Sequence, residues 1–299
     1  MPLTRRDFIK ITGTGLGATL ASGALLSPAQ AEGDGPPPDD FAILYDSSKC
    51  IGCRACQMAC KRWNDLPSEP DSALGIYDTP QGLSDSTWTL IKLSKRSEDD
   101  WHFFNYQCMH CTDAACVTVC PSSALFKDER GFVALDHEKC IGCGYCTRFC
   151  PYGVPHLRTE NLLTGSAKAF KCTFCQDRVW GGLGGPFCAE TCPTGALVWG
   201  KRGDLLETAN ERVAGLQQQG MTAAKLYGEA QAGGLHRLSI MFDEPAQYNL
   251  PADPVSPGTA RAWQNIVQPL GEVVFGAAIV AALGAFLLAR RNVHMEGVE

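Results

Sequence analysis

Cysteine supplies most of the chemistry open to this chain: 16 of its 299 residues are cysteines. They fall into four runs of four, at 50, 53, 56 and 60; at 108, 111, 116 and 120; at 140, 143, 146 and 150; and at 172, 175, 188 and 192. The third run reads Cys140-Ile-Gly-Cys143-Gly-Tyr-Cys146-Thr-Arg-Phe-Cys150-Pro151. Three thiolates at this spacing wrap one face of a four-iron, four-sulfur cubane, while the fourth is carried on to ligate a neighbouring cluster. Gly142 and Gly144 let the backbone curl round an inorganic core and aim N–H groups at its sulfides, and Pro151 ends the turn.

Other uses of cysteine fit less well. Repeated C-x2-C pairs suit chelation better than cross-linking. Zinc accepts such pairs, but the C-x2-C-x2-C-x3-C-P form belongs to iron-sulfur ligation. Covalent haem needs a histidine directly after the second cysteine of a C-x-x-C pair; here those positions hold Arg54, Gln57, Thr112, Gly144, Thr147 and Gln176. His110, inside Cys108-Met-His-Cys111, has four thiolates beside it, so it reads as a supporting donor or a surface residue, not a ligand.

An internal repeat, Cys120-Pro-Ser-Ser-Ala-Leu125 and Cys192-Pro-Thr-Gly-Ala-Leu197, closes two of the runs. The second and third runs lie 19 residues apart and form one local unit, leaving the first and fourth to build another around it. Exchange of the fourth cysteine then predicts four 4Fe-4S clusters: Cys50, Cys53, Cys56 and Cys192 (first group); Cys108, Cys111, Cys116 and Cys150 (second); Cys120, Cys140, Cys143 and Cys146 (third); and Cys60, Cys172, Cys175 and Cys188 (fourth).

The elements that position these ligands follow from local pattern. A strand over 41–45 delivers the first run, whose helix continues through Trp63 and breaks at Pro67. Segments 87–93 and 101–106 read as a β-hairpin packed over the clusters, and 133–135 as a strand. The glycines of 181–186 lack the order of a phosphate loop and read as an insertion. Asp204-Leu-Leu-Glu207 suggests a capping box for a helix with Leu205, Ala209, Val213 and Leu216 on one face, ending near Gly220. A strand over 236–242 and a proline-rich connector over 250–258 follow.

Both ends carry targeting signals. Thr4-Arg-Arg-Asp-Phe-Ile-Lys10, a weakly apolar run and Ala29-Gln-Ala31 read as a twin-arginine export signal over 1–31, a route that carries folded, cofactor-loaded proteins. Residues 270–289 hold one charge, Glu272, and at ~1.5 Å per residue they span about 30 Å, a hydrocarbon core. Arg290 and Arg291 place the C-terminus in the cytoplasm. The predicted location is therefore the inner membrane, single-pass, with the cluster domain in the periplasm and membrane lipid as a partner. A net charge of -6 and a pI near 5.6 leave no polybasic surface, so nucleic acid is not an expected partner. No nucleophile-base pair, zincin helix or nucleotide fingerprint supplies a catalytic centre, so the chain reads as a conductor of electrons.

The four runs resemble the iron-sulfur subunits of molybdopterin oxidoreductases. Cys50-Ile-Gly-Cys-Arg-Ala-Cys-Gln-Met-Ala-Cys-Lys-Arg-Trp-Asn-Asp65, Lys171-Cys-Thr-Phe-Cys-Gln-Asp-Arg178, Gly233-Gly-Leu-His236 and the anchor resemble more narrowly the β subunit of membrane-bound formate dehydrogenase, over about residues 41–290. That resemblance implies an α+β fold of two intertwined ferredoxin-like two-cluster modules, with a β-hairpin insertion and one C-terminal transmembrane helix. The outer module covers 41–104 and 165–205, the inner module 105–164, a helix and connector 206–262, and the anchor with its tail 263–299. It also implies a catalytic subunit holding Mo or W and a cytochrome b or other quinone-reducing membrane subunit. The anchored electron-transfer subunits of nickel-iron hydrogenase are similar too: they carry their own export signal and a run like Gln107 to Cys111, and they imply a Ni-Fe partner. A stand-alone membrane-tethered ferredoxin would show the same cysteines.

Overall fold

The computed structural model describes residues 35–68, 80–95, 98, 101–161 and 163–292; the export signal expected over 1–31 lies outside them. Around the cysteine runs the chain makes a frame of short strands. Strand β1 (Phe41–Asp46) forms the spine of a four-stranded sheet: it pairs antiparallel with β8 (Leu197–Lys201) and parallel with β10 (Arg237–Met241), and β10 pairs antiparallel with β9 (Lys225–Tyr227). Because side chains alternate across a sheet, β1 sends Ala42 and Leu44 to one face and Ile43 and Tyr45 to the other. Ala42 and Leu44, with Leu238 and Ile240, pack under the helix Arg202–Gln218 through Leu205, Ala209 and Leu216. Ile43 and Tyr45 face the cysteine side, where Phe104, Phe132, Phe174 and Tyr248 complete the core. A strand buried on both faces reads as a continuous apolar run, as Phe-Ala-Ile-Leu-Tyr does.

Three two-stranded ribbons complete the framework: β2 (Thr89–Lys95) with β3 (Trp101–Gln107), β4 (Leu125–Lys127) with β5 (Val133–Leu135), and β6 (His156–Asn161) with β7 (Ser166–Phe170). Short helices follow the cysteine turns: Ala55–Trp63, Ala115–Thr118, Tyr145–Phe149, Gln176–Trp180 and Phe187–Glu190.

Two sequence expectations are corrected. The helix predicted to open on a capping box begins earlier, at Arg202; Asp204 sits inside the first turn and no side chain caps the start. Arg202 is drawn inward, donating to the carbonyls of Leu235 and Glu229, and that docking sets the start in place of a cap. The C-terminal helix is also longer than the anchor drawn from hydropathy. It runs Gly258–Ala262, then a π-helical turn Trp263–Val267, then Gln268–Asn292. Pro269 has no N–H and its ring crowds the carbonyl four residues back, which a wider turn relieves. Residues Gly258–Leu287 are, among the described residues, the one helix long and apolar enough to cross a membrane.

Candidate iron-sulfur sites

The first C-x-x-C turn of each cysteine run has the same backbone shape. The second intervening residue is left-handed in all four: Gly52 (φ +69°), His110 (φ +47°), Gly142 (φ +70°) and Phe174 (φ +64°). That conformation reverses the chain between two cysteines so that both thiols face inward, and it comes without steric cost only to glycine. Glycine is needed twice over at two of the sites. A Cβ on Gly52 would sit 2.4 Å from the Phe103 ring, and one on Gly142 would sit 2.2 Å from the Ala167 carbonyl oxygen. The other two sites hold rings that support each other: His110 meets Phe174 edge-on at 5.2 Å, and Phe174 stacks on Phe132 at 5.0 Å.

The structure brings the cysteines together across the chain. Cys50, Cys53, Cys56 and Cys192 line one cavity. Cys108, Cys111, Cys116 and Cys150 line another, and Cys120, Cys140, Cys143 and Cys146 a third. Cys60, Cys172, Cys175 and Cys188 are all buried, and burial followed by the thiols of Cys175, Cys172 and Cys60 pushes the Cys188 thiol well up. None of the 16 forms a disulfide. Among the described residues no His, Cys, Asp or Glu side chains converge on a point tightly enough to hold a single metal ion. The thiols surround a space, which suits a multi-atom inorganic core better than a lone zinc with sulfurs at about 2.3 Å.

Electrostatics favour the same occupant. Burial, then neighbouring thiols, pushes Cys56, Cys146 and Cys172 up to about 12, burial opposed by the Phe187 N–H takes Cys175 to about 11, and Cys60, Cys111 and Cys116 are also raised. Four buried thiols become thiolates together only around a compensating cation. Backbone donors are already in place at the quasi-repeat. Leu125 N–H donates to Cys120 Sγ at 3.5 Å and Leu197 N–H to Cys192 Sγ at 3.4 Å, and Ala169 N–H on β7 donates to Cys140 Sγ at 3.3 Å. Burial raises Cys192, but the Leu197 N–H and the Thr194 hydroxyl outweigh it and leave its thiol lowered.

The sequence is similar to known proteins. The family description "4Fe-4S dicluster domain" matches residues 49–124 and again 99–202. The formate dehydrogenase-O iron-sulfur subunit of Escherichia coli K12 is 38% identical over 252 residues, 82% of this chain and 82% of that protein. The chain belongs to the family of formate dehydrogenase iron-sulfur subunits. The Haemophilus influenzae formate dehydrogenase iron-sulfur subunit is 36% identical over 268 residues, 87% of this chain and 84% of its own. Hydrogenase-2 operon protein HybA of Escherichia coli O157:H7 is 33% identical over 326 aligned positions, 97% of this chain and 96% of its own. Within the family this chain is an iron-sulfur, electron-transfer component and not a catalytic subunit.

Trp63, Asp177 and Arg178 close over the fourth group. Trp63 Nε1 donates to Asp177, and the Arg178 guanidinium lies 4.9 Å from the Trp63 ring and 5.0 Å from Phe187. Arg178 also donates to the Gly185 carbonyl and pairs with Glu190. The glycine loop serves this clasp, since a Cβ on Gly185 would fall 2.0 Å from the Trp199 ring. The surface alternative for His110 is overturned. Its ring is fully buried, its Nδ1 accepts the Val133 N–H at 3.1 Å, and its carbonyl accepts from His236 Nδ1 at 2.8 Å. Its position between two cysteines was visible in sequence; its burial came from Phe132 and Phe174, which no spacing connects to it.

The four groups also form a sequence in space. Behind the dominant effect of burial, Cys60 and Cys188 are raised by Cys56, Cys172 by Cys108, and Cys116 by Cys146. The first group therefore neighbours the fourth, the fourth the second, and the second the third. Cys53 and Cys143 are exposed at the two ends, each in an Ile-Gly-Cys tip. The third-group end meets the C-terminal helix, where Tyr145 packs edge-on to Trp263 at 4.7 Å and Arg261 donates to Asp113 at 3.2 Å.

Proposed function

We propose that the four cysteine groups hold four 4Fe-4S clusters, which carry single electrons in the order first, fourth, second, third. The donor is a periplasmic formate dehydrogenase catalytic subunit with Mo or W, docked at the Cys53 tip. The acceptor is a cytochrome b or other quinone-reducing membrane subunit near the Cys143 tip. The observation that carries this reading is the row of neighbouring thiol groups with one exposed tip at each end and the apolar helix at the second. The clusters supply one-electron redox chemistry when bound; the chain's own residues hold, space and insulate them. Burial of the fourth group and partial burial of the second limit water, and N–H donors to Sγ stabilise the thiolates. In this reading two intertwined ferredoxin-like modules carry the clusters: the outer module (41–104 and 165–205) holds the first and fourth groups and the inner module (105–164) the second and third. The export signal over 1–31 and the helix from 263 give the inner-membrane location, with the C-terminus in the cytoplasm.

A second reading has its own support. HybA aligns over 97% of this chain and 96% of its own length, so it covers both terminal segments, where the formate dehydrogenase subunits align over 79–87% of the chain. In that reading the donor is a nickel-iron hydrogenase subunit and the relay is unchanged. Metal analysis of the detergent-extracted complex that co-purifies with this chain separates the two. Molybdenum or tungsten beside abundant iron supports the formate dehydrogenase donor; nickel replaces it with the hydrogenase.

A further inference from the structure

Among the described residues three lysine or arginine side chains are buried, and none of them forms an ion pair. Arg202 is held by backbone carbonyls away from the cysteines. Lys171, 1% exposed, donates its Nζ to the carbonyls of Val133 and Cys172, both at 2.8 Å. Arg237, 0% exposed, donates to Leu238 O, Ser239 Oγ and both oxygens of Asn105, lies 5.0 Å from the Tyr45 ring, and leaves Nε without a partner. Neither forms an ion pair among the described residues. An isolated buried cation is strongly unfavourable unless an anion lies nearby.

The anions in reach are the cysteine groups. Lys171 lines the cavity of the second group beside Cys108, Cys111, Cys116 and Cys150, and its Nζ donates to the carbonyl of Cys172 in the fourth. Arg237 donates to Asn105, whose Nδ2 reaches Cys56 Sγ of the first group at 3.9 Å, and its charge bears on Cys188 and Cys172 of the fourth. Each cation thus lies at a junction between two groups, and the fourth group is flanked by both. The third group has no buried cation of this kind; Lys168 reaches the Cys140 carbonyl from a half-buried position.

We propose that Arg237 and Lys171 are fixed counter-charges that set the reduction potentials of the first, fourth and second clusters, resting on the four-cluster reading above. A core of charge two plus held by four thiolates carries a net minus two, and minus three once reduced. Burial alone opposes that added charge and pulls the potential down. A cation fixed at a junction favours the reduced form on both sides of it, so an electron arriving from the first cluster does not stall before the two buried ones. The step moves one electron from the reduced cluster to its oxidised neighbour, with no bond made or broken and no proton transferred.

Two variants made in the whole detergent-extracted complex test this. Lys171→Met removes one charge while keeping a chain of similar length; Asn105→Asp leaves Arg237 in place and pairs it with a carboxylate at a position now 2.8 Å from its guanidinium, and Asn105→Leu, which also loses the Nδ2 donor 3.9 Å from Cys56 Sγ but adds no charge, is its control. The readouts are iron per chain and potentiometric titration followed by electron paramagnetic resonance. We expect full iron in both. In Lys171→Met two components become at least tenfold harder to reduce at a given potential, about 59 mV for one electron. In Asn105→Asp two components also shift downward, and one of these is shared with the first variant. One component moves in neither, and Lys171→Arg restores the wild-type pattern. Unmoved potentials at full iron, or the same two components shifting in both variants, overturn the proposal. If Lys171→Met loses iron, Asn105→Asp still decides through its own shift. Wild-type iron too low for four clusters overturns the underlying reading instead.

Discussion

Replacing Gly142 by alanine separates the two demands that its turn makes. The residue has φ +70°, and its new Cβ would lie 2.2 Å from the Ala167 carbonyl oxygen and 3.1 Å from the Ala167 Cβ. The left-handed backbone alone costs an L-residue ~1–2 kcal/mol. The overlap is with backbone on β7 and no rotamer relieves it, so overpacking adds about 1–3 kcal/mol. The sum is about 2–5 kcal/mol, which for a domain of this size lowers the melting temperature by roughly 4–20 °C. Gly153 provides the control: φ is +62° but nothing lies within 4 Å of its Cβ, so alanine there costs only the backbone term, ~1–2 kcal/mol. The assay is anaerobic thermal unfolding of both variants, with bleaching of iron-sulfur absorbance followed in parallel. Because β7 also carries the Ala169 N–H that donates to Cys140 Sγ, Gly142→Ala should alter one cluster signal that Gly153→Ala leaves alone. Equal losses in the two variants would refute the close-approach argument.

Further outcomes follow from the same geometry. Cys143→Ser should disrupt one cluster and stop quinone reduction by the complex while dye-linked donor oxidation continues; unchanged quinone reduction would count against the relay. Trp63→Phe keeps the ring under Arg178 but removes the hydrogen bond to Asp177, so a loss of about 1 kcal/mol is expected, against a larger loss in Trp63→Ala, measured by chemical denaturation. Burial and the Lys127 charge, opposed by Asp40, hold His236 down at about 4. With an unfolded value near 6.5, its stabilisation is whole above that pH and is lost as pH falls towards 4; between pH 6.5 and 5.5 it amounts to about 1 kcal/mol. Unfolding rates across that window should rise more steeply in the wild type than in His236→Gln. A chain ending after Val267 keeps the Trp263 and Arg261 contacts yet should leave the membrane fraction with its iron, as fractionation and metal analysis would report.

What the sequence revealed was set by how local each feature is. Cysteine spacing is a covalent property, so the four runs and the Leu125 and Leu197 repeat stood out at once. Strand β1 was legible because burial on both faces leaves an unbroken apolar run. The pairing of β1 with β10 was not, since Ile43 and Arg237 meet across nearly 200 residues and neither encodes the other. Arg237 itself reads as an ordinary surface arginine until the fold surrounds it with Tyr45, Asn105 and the thiols. The ribbon His156–Asn161 with Ser166–Phe170 also passed unnoticed, because its outward residues are polar and only Ala169 is fully buried. The left-handed turns at His110 and Phe174 had a signal that superposing the first C-x-x-C pair of each run exposes, since the two glycines occupy the same position.

The two exposed tips are built alike. Ile51 and Ile141 stand 63% and 65% exposed, each followed by a left-handed glycine and an exposed cysteine. On the proposed relay the two terminal contacts are thus of one kind, and the helix beside Tyr145 is what tells one end from the other. A different donor enzyme could then be seated at the first tip without rebuilding the conductor.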